Sequence, residues 1–265
     1  MYLADSLPKS QQSDRESSVR WRMRTCRNLH LLRILLASTV LAYLGPMPLE
    51  AGKKKKTQPP LPQRDKNVIL VRRPIIVDNA VFDMRGKTYS GRDRDSQSED
   101  GKPLFILKNN AVLKNGKIIR SAEGVWFRGI NSRVENVIFP DVYEDAISTR
   151  SAKCRKAVGS KRNRIINCKF SKFKDKAIQL NAGELEVRRC TFKQGTTPMR
   201  QNGRSKEPLI LHVYDCRFYN THNMAKADGK NSKSRVYRAG NEGHDVNDPD
   251  WEVTGKTKLI NRRKY

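Results

Sequence analysis

Asn136-Val137-Ile138-Phe139 returns as Asn167-Cys168-Lys169-Phe170, as Arg189-Cys190-Thr191-Phe192 and as Asp215-Cys216-Arg217-Phe218, with a looser first copy at Asn115-Gly116-Lys117-Ile118. The anchors fall at 115, 136, 167, 189 and 215, intervals of 21, 31, 22 and 26 residues. Short apolar segments recurring at such intervals mark a solenoid, because one coil cannot bury its own apolar face and must stack on the next. Around the anchors, residues alternate with period two: Val134, Asn136 and Ile138 against Glu135, Val137 and Phe139, then Leu185 and Val187 against Glu184, Glu186 and Arg188. That is the pattern of strands with one inward face. No helical stripe follows residue 60, so the fold class is all-β, a parallel solenoid.

In-register parallel strands place like positions of successive coils about 4.8 Å apart. Cys168, Cys190 and Cys216 therefore form an inward ladder of small apolar side chains, expected as reduced thiols, although adjacent rungs leave room for one disulfide. The longest interval holds ISTRSAKCRKAVGSKRNR (147–164), predicted as a basic loop projecting from the solenoid. Upstream, VILVRRPIIVDNAVFDMRGKTYSG (68–91) reads as the opening strand and first coil. Beyond about Tyr219 the rhythm fades into AGNEGHDVNDPDWEV (239–253), predicted as an irregular covering segment that shields the last sheet edge.

Residues 34–44, ILLASTVLAYL, are too short to span a bilayer and follow five arginines, Arg20, Arg22, Arg24, Arg27 and Arg33. With Pro46, Pro48 and Ala51 behind them, they have the layout of a secretory signal peptide over residues 1–51, the alternative being an uncleaved anchor. A start at Met23 gives the more ordinary leader. Residues 52–66, with KKKK and TQPPLPQ, read as a basic proline-rich linker, leaving 67–265 as the solenoid domain. The expectation is a secreted monomer without a stable membrane anchor. A formal net charge of +27 draws such a chain to polyanions, whether nucleic acid, anionic membrane or acidic polysaccharide. Export and the lack of any nucleic-acid-binding module argue against nucleic acid.

Glu144-Asp145 stands beside apolar Ala146-Ile147, with Glu123 about one coil earlier. Three carboxylates on adjacent rungs repel one another and suit an oxygen-seeking cation such as Ca²⁺, which takes six to eight oxygens in flexible geometry. The competing reading is a set of turn acids paired with some of the many lysines and arginines. His212, His222 and His244 show no metal spacing and read as ordinary surface or strand residues. Trp126, Tyr143 and Trp251 suit sugar stacking or packing equally well.

From Phe82 to Gly203 the chain resembles the pectate lyases of polysaccharide lyase family three, through FDMRGKTYSG, SEDGKPLFILKNNAVLKNGKI, EGVWFRG, ENVIFPDVYEDAIS, DKAIQLNAG and RQNG in that order. The resemblance implies a secreted right-handed parallel β-helix that binds calcium through Glu123, Glu144 and Asp145 and cleaves pectate. It also implies that Lys176 and Arg200 hold and attack the substrate, with Asn181 among the substrate contacts. Two positions depart from the family pattern: Thr196-Thr197 replaces a Gly-Lys pair, and Tyr143 replaces a glycine before the acidic pair. Cleavage of a uronate by β-elimination removes the C5 proton beside a carboxylate and expels the C4 oxygen, so cations on that carboxylate stabilise the developing charge. Guanidinium's very high pKa makes Arg200 a base only if neighbouring cations depress it, and Lys176 is the alternative base. A non-catalytic binder of acidic glycans is the rival reading.

Overall fold

The residues that open each copy of the template are corners. Asn115, Asn136, Asn167, Arg189 and Asp215 all stand at positive φ, between 53° and 58°. They do so in a computed structural model that describes residues 67–91, 101–141 and 143–262. The left-handed region costs an L-residue on the order of 1 kcal/mol, and Asn and Asp tolerate it best. Each corner also flips the strand's phase. Val134 is buried, and past Asn136 the inward residues are Val137 and Phe139, whereas Ile138 is 38% exposed. The period-two alternation expected through Val134, Asn136 and Ile138 is thus interrupted at the corner: one residue spent on turning moves the following side chains to the other face.

All strand pairs are parallel. One sheet has eight strands in the order Ile75–Val77, Phe105–Leu107, Glu123–Phe127, Asp145–Thr149, Lys176–Leu180, Thr197–Gln201, Ala225–Ala227 and Trp251–Val253. A larger sheet of fourteen strands carries the template copies and closes the coils. The molecule is therefore an all-β parallel solenoid, its only helical pieces among the described residues being 3-10 turns at Ala152–Lys156 and Gly159–Lys161.

Repetition makes its own glue. Phe139, Phe170, Phe192 and Phe218 stack face to face at 4.9, 4.9 and 5.1 Å, each at most 1% exposed. Cys168, Cys190 and Cys216 lie beside them, buried and free, as expected. The first copy has glycine at the cysteine position because Met84 fills that space: a Cβ on Gly116 would meet the Met84 side chain at 2.5 Å. On the outside, Asn167 donates to Asn136 at 2.7 Å and Asn136 to Asn115 at 3.1 Å, an amide ladder that ties the corners together.

Two expectations are corrected. The segment beyond Tyr219 continues the solenoid, with parallel strands Ala225–Ala227, Arg235–Ala239, Glu242–Val246, Trp251–Val253 and Lys258–Asn261. Its template is disguised. The corner is Gly240 at φ +65, Asn241 replaces the cysteine, and Gly243 pairs with Phe218 where a phenylalanine would stack. Met224 takes that ring's space, lying 2.3 Å from where a Gly243 Cβ would sit. The basic insertion does not simply project either. Cys154 and Ala157 are fully buried, and Gly159 N–H donates to Glu184 at 2.7 Å.

The described residues fall within one compact unit, Pro62–Tyr265, and among them no helix is long and apolar enough to cross a membrane. The signal peptide and linker expected over residues 1–66 lie outside the described residues.

Candidate active site

Register in the eight-stranded sheet sets the site. Glu123 pairs with Asp145, Asp145 with Lys176 and Lys176 with Thr197, so four rungs contribute one file of side chains. Three residues along, Trp126, Ser148, Gln179, Arg200, Lys226 and Glu252 form a second file. Asp145 opens its strand, Asp145–Thr149, where the sequence alone places the acidic pair at a strand's end. Lys176 and Arg200 sit one rung and three residues apart, about 11 Å between Cα atoms at ordinary strand spacings.

Glu123 is fully buried and Asp145 2% exposed. Ser148 Oγ bridges them, 3.1 Å from Glu123 Oε2 and 2.9 Å from Asp145 Oδ2, its one hydrogen shared between the two, while Trp126 Nε1 donates to Glu123 Oε2 at 2.7 Å. The Arg150 guanidinium pairs with Glu123 Oε1 and lies 3.9 Å from Asp145 Oδ2. Burial, followed by the nearby Asp145 charge, pushes the Glu123 carboxyl up to about 7, against the pull of Trp126, Arg150 and Ser148. Burial also raises Asp145, outweighing Lys176. Two buried carboxylates side by side resist ionisation, and each cation that reaches them relieves that strain.

Lys176 Nζ lies 3.5 Å from Asp145 Oδ1 and also pairs with Asp175. Burial pulls its ammonium down, but the two carboxylates prevail and the net direction is up. Arg200 is more open, its side chain 38% exposed and 3.6 Å from Asp228. Asn181 receives hydrogen bonds from Gln179 and Asn202, both at 2.9 Å, in a short amide ladder. Glu144 is buried and its carbonyl accepts from Lys176 N–H at 3.3 Å. Tyr143 lies under Lys174, whose Nζ is 4.3 Å from the ring. Trp251 packs beneath Arg238.

Arg150, Ser148 and Lys226 escaped the reading of the sequence. Arg150 was absorbed into the basic insertion, although it immediately follows the strand that Asp145 opens, and only its side-chain contact with Glu123 reveals its role. His212 is a strand residue but not an idle one. It is 3% exposed and joins Glu184 at 2.5 Å and Tyr214 at 2.9 Å, with its ring stacked on Tyr237.

Carboxylate oxygens are hard donors suited to calcium. Asp145 Oδ1 is buried without a hydrogen bond, facing only Lys176. The donor set therefore fits such an ion in kind, with Arg150 now supplying the countercharge. Among the described residues no three His, Cys, Asp or Glu side chains are already gathered as a metal cage.

Fold and site together define a parallel β-solenoid with a ledge of buried acids beside partly buried cations. The pectate lyase family model matches residues 58–246, and the chain belongs to that family. It is 33% identical over 159 residues to a probable pectate lyase E of Aspergillus fumigatus, covering 58% of this chain and 59% of that protein. It is 34% identical over 159 residues, with the same shares, to pectate lyase E of Emericella nidulans. The chain thus spans about three-fifths of the length of these relatives. The catalytic domain of pectate lyase PelI from Erwinia chrysanthemi is 20% identical, with a TM-score of 0.48, covering 74% of this chain and all of that one.

Proposed function

We propose that the chain is a secreted, calcium-dependent lyase that cleaves polygalacturonate or a related uronate polymer by β-elimination. Family membership supports the substrate class. The observation that carries the reading is the file Glu123, Asp145, Lys176, with Arg200 one strand further on the same sheet. Calcium held by Glu123, Asp145 and Glu144 would supply positive charge to the substrate carboxylate. Lys176, on the rung beside Asp145, orients the sugar's carboxylate and strengthens its hold as charge develops. Arg200, half-buried in the second file and 3.6 Å from Asp228, takes the C5 proton only where neighbouring cations have first displaced a proton from its guanidinium. Those electrons form the C4–C5 double bond, the C4–O bond breaks, and the departing oxygen takes a proton from water. Lys176 becomes the base instead only once its carboxylate partners are engaged elsewhere, because Asp145 and Asp175 now hold its proton.

General-base loss costs a factor of about 10² to 10⁴, so Arg200→Ala should nearly abolish formation of unsaturated, ultraviolet-absorbing product while polymer binding survives. Two observations favour the second reading, a non-catalytic binder of acidic glycans. Thr197 stands in the Lys176 file where the resemblance calls for a cation, and Arg150 already neutralises the acid pair. Wild-type protein that yields no unsaturated product from polygalacturonate in calcium, yet binds it, establishes that second reading.

A further inference from the structure

The segment 151–162, between the strands Asp145–Thr149 and Asn163–Ile166, has five cations and no acid. It is a strap fastened along its inner side. Buried Glu184 accepts from Gly159 N–H at 2.7 Å, lies 3.2 Å from Arg162 and joins buried His212 at 2.5 Å, while its own N–H donates to Ala157 O at 2.9 Å. Cys154 is buried with Sγ 3.1 Å from Phe127 O, and a Cβ on Gly183 would stand 1.9 Å from the Cys154 carbonyl oxygen. Asn131 N–H donates to Lys161 O at 2.8 Å. With the inner side so engaged, Lys153, Lys156, Lys161 and Val158 remain exposed, Val158 at 49%.

The same corner of the solenoid repeats the pattern. The loops that follow Thr197–Gln201 and Ala225–Ala227 add exposed Arg204, Lys206, Lys230 and Lys233. Their two acids are engaged, Glu207 at 3.7 Å from Arg155 and Asp228 at 3.6 Å from Arg200. None of these exposed lysines, nor Arg204, pairs with a carboxylate among the described residues. At ordinary strand spacing the row covers about 15 Å of the solenoid axis. Residues 92–100 lead into the start of a strand of this sheet in an earlier coil, whereas the row stands at strand ends. A row of unpaired cations attracts polyanions in general, and its other residues decide which class fits. Residues 151–162, 202–208 and 228–234 hold no aromatic ring, so a base or a sugar finds nothing to stack on. An exposed valine among lysines instead matches the boundary of a bilayer, where apolar side chains enter and cations meet phosphates. We propose that this corner adheres reversibly to an anionic lipid surface, Val158 entering the headgroup layer and the surrounding cations lying over it. The proposal stands apart from the uronate reading, since it uses none of the acids of the ledge.

Sedimentation of the full chain with vesicles of phosphatidylglycerol in phosphatidylcholine, against phosphatidylcholine alone, tests it. The apolar segment 34–44 is common to every variant, so the measured quantity is the excess affinity for anionic vesicles. Lys153→Ala/Lys156→Ala/Lys161→Ala should lower that excess about a hundredfold. Arg204→Ala/Lys206→Ala should lower it about thirtyfold from a separate loop, which keeps the test decisive should the strap variant fold poorly. Val158→Ser should weaken vesicle binding about fivefold and leave binding to duplex DNA and to polygalacturonate unchanged. Lys87→Ala/Lys117→Ala/Lys169→Ala removes the charge of three exposed lysines at the larger sheet and should have little effect. An equal loss in that control, or no preference for anionic vesicles, overturns the proposal. Strap-dependent binding to DNA or polygalacturonate, with Val158→Ser neutral throughout, assigns the row to a soluble polyanion and overturns the lipid reading. Strap-dependent vesicle binding by a wild-type protein that yields no lyase product overturns the catalytic reading and supports this one.

Discussion

The two sheets use one stacking geometry for opposite ends. On the larger sheet like stacks on like: phenylalanine on phenylalanine at 4.9–5.1 Å, cysteine beside cysteine, asparagine amide to asparagine amide. On the eight-stranded sheet the same register sets unlike residues side by side, Glu123, Asp145, Lys176 and Thr197. Parallel register makes a column out of whatever occupies equivalent positions. Where the occupant repeats, the column is a structural seam. Where it changes from rung to rung, the column is a set of different charges held about 4.8 Å apart.

The largest break in this contrast comes from the repeating side. Phe192→Ala removes the ring stacked on both Phe170 and Phe218 and should cost about 3–5 kcal/mol, read as a lower urea midpoint with a similar slope. A loss under 1 kcal/mol would mean the seam is incidental. On the non-repeating side, Arg150→Met leaves the buried Glu123 and Asp145 without their guanidinium and should cost about 3 kcal/mol in chelator. Calcium should restore more stability to this variant than to wild type, measured as the shift in melting temperature. Equal shifts would remove Arg150 as the cation that calcium replaces.

The acid pair also gives the ledge a pH signature that the seam lacks. Glu123 holds its proton up to about 7 when folded, against an ordinary 4.5, so the native state favours the protonated form. Its contribution is therefore fully present below about pH 4.5 and fades as pH rises toward 7, a loss on the order of 1–3 kcal/mol in chelator. Asp145 adds in the same direction. Urea unfolding at pH 5 and pH 8 should show a smaller decline in Glu123→Gln than in wild type, and identical declines would contradict the assignment. The smallest effect belongs to a single corner. Asn167→Ala loses one ladder bond and leaves alanine at φ +54, a cost of about 1–2 kcal/mol. Asn167→Gly should recover part of it, and a glycine as damaging as alanine would show that the ladder, not the backbone angle, carries the corner.

Much of this was legible in the chain because a solenoid writes its period into the sequence. Four template copies revealed the strands, the inward cysteines and the one-coil separation of Glu123 from Asp145. What escaped detection did so for identifiable causes. The last coil was hidden because Gly240, Asn241 and Gly243 share no side chain with Asn167, Cys168 and Phe170, even though they perform the same turn and Met224 fills the gap. The phase reversal at each corner was invisible because alternation reports only which face a residue takes, whereas a positive φ changes the face without changing the residue types around it.

By itself the sequence determined the fold class and, across the clear template copies, the stacking order and the residues that share a rung, since those follow from the spacing of side chains along one chain. Tertiary structure alone decided the electrostatics of the ledge. Arg150 meets Glu123 from 27 residues away, and the buried acids acquire their raised proton affinity only when the surrounding coils exclude water. Charge and burial depend on what lies within a few ångströms in space, and the order of residues along a chain specifies that distance only after the coils have closed.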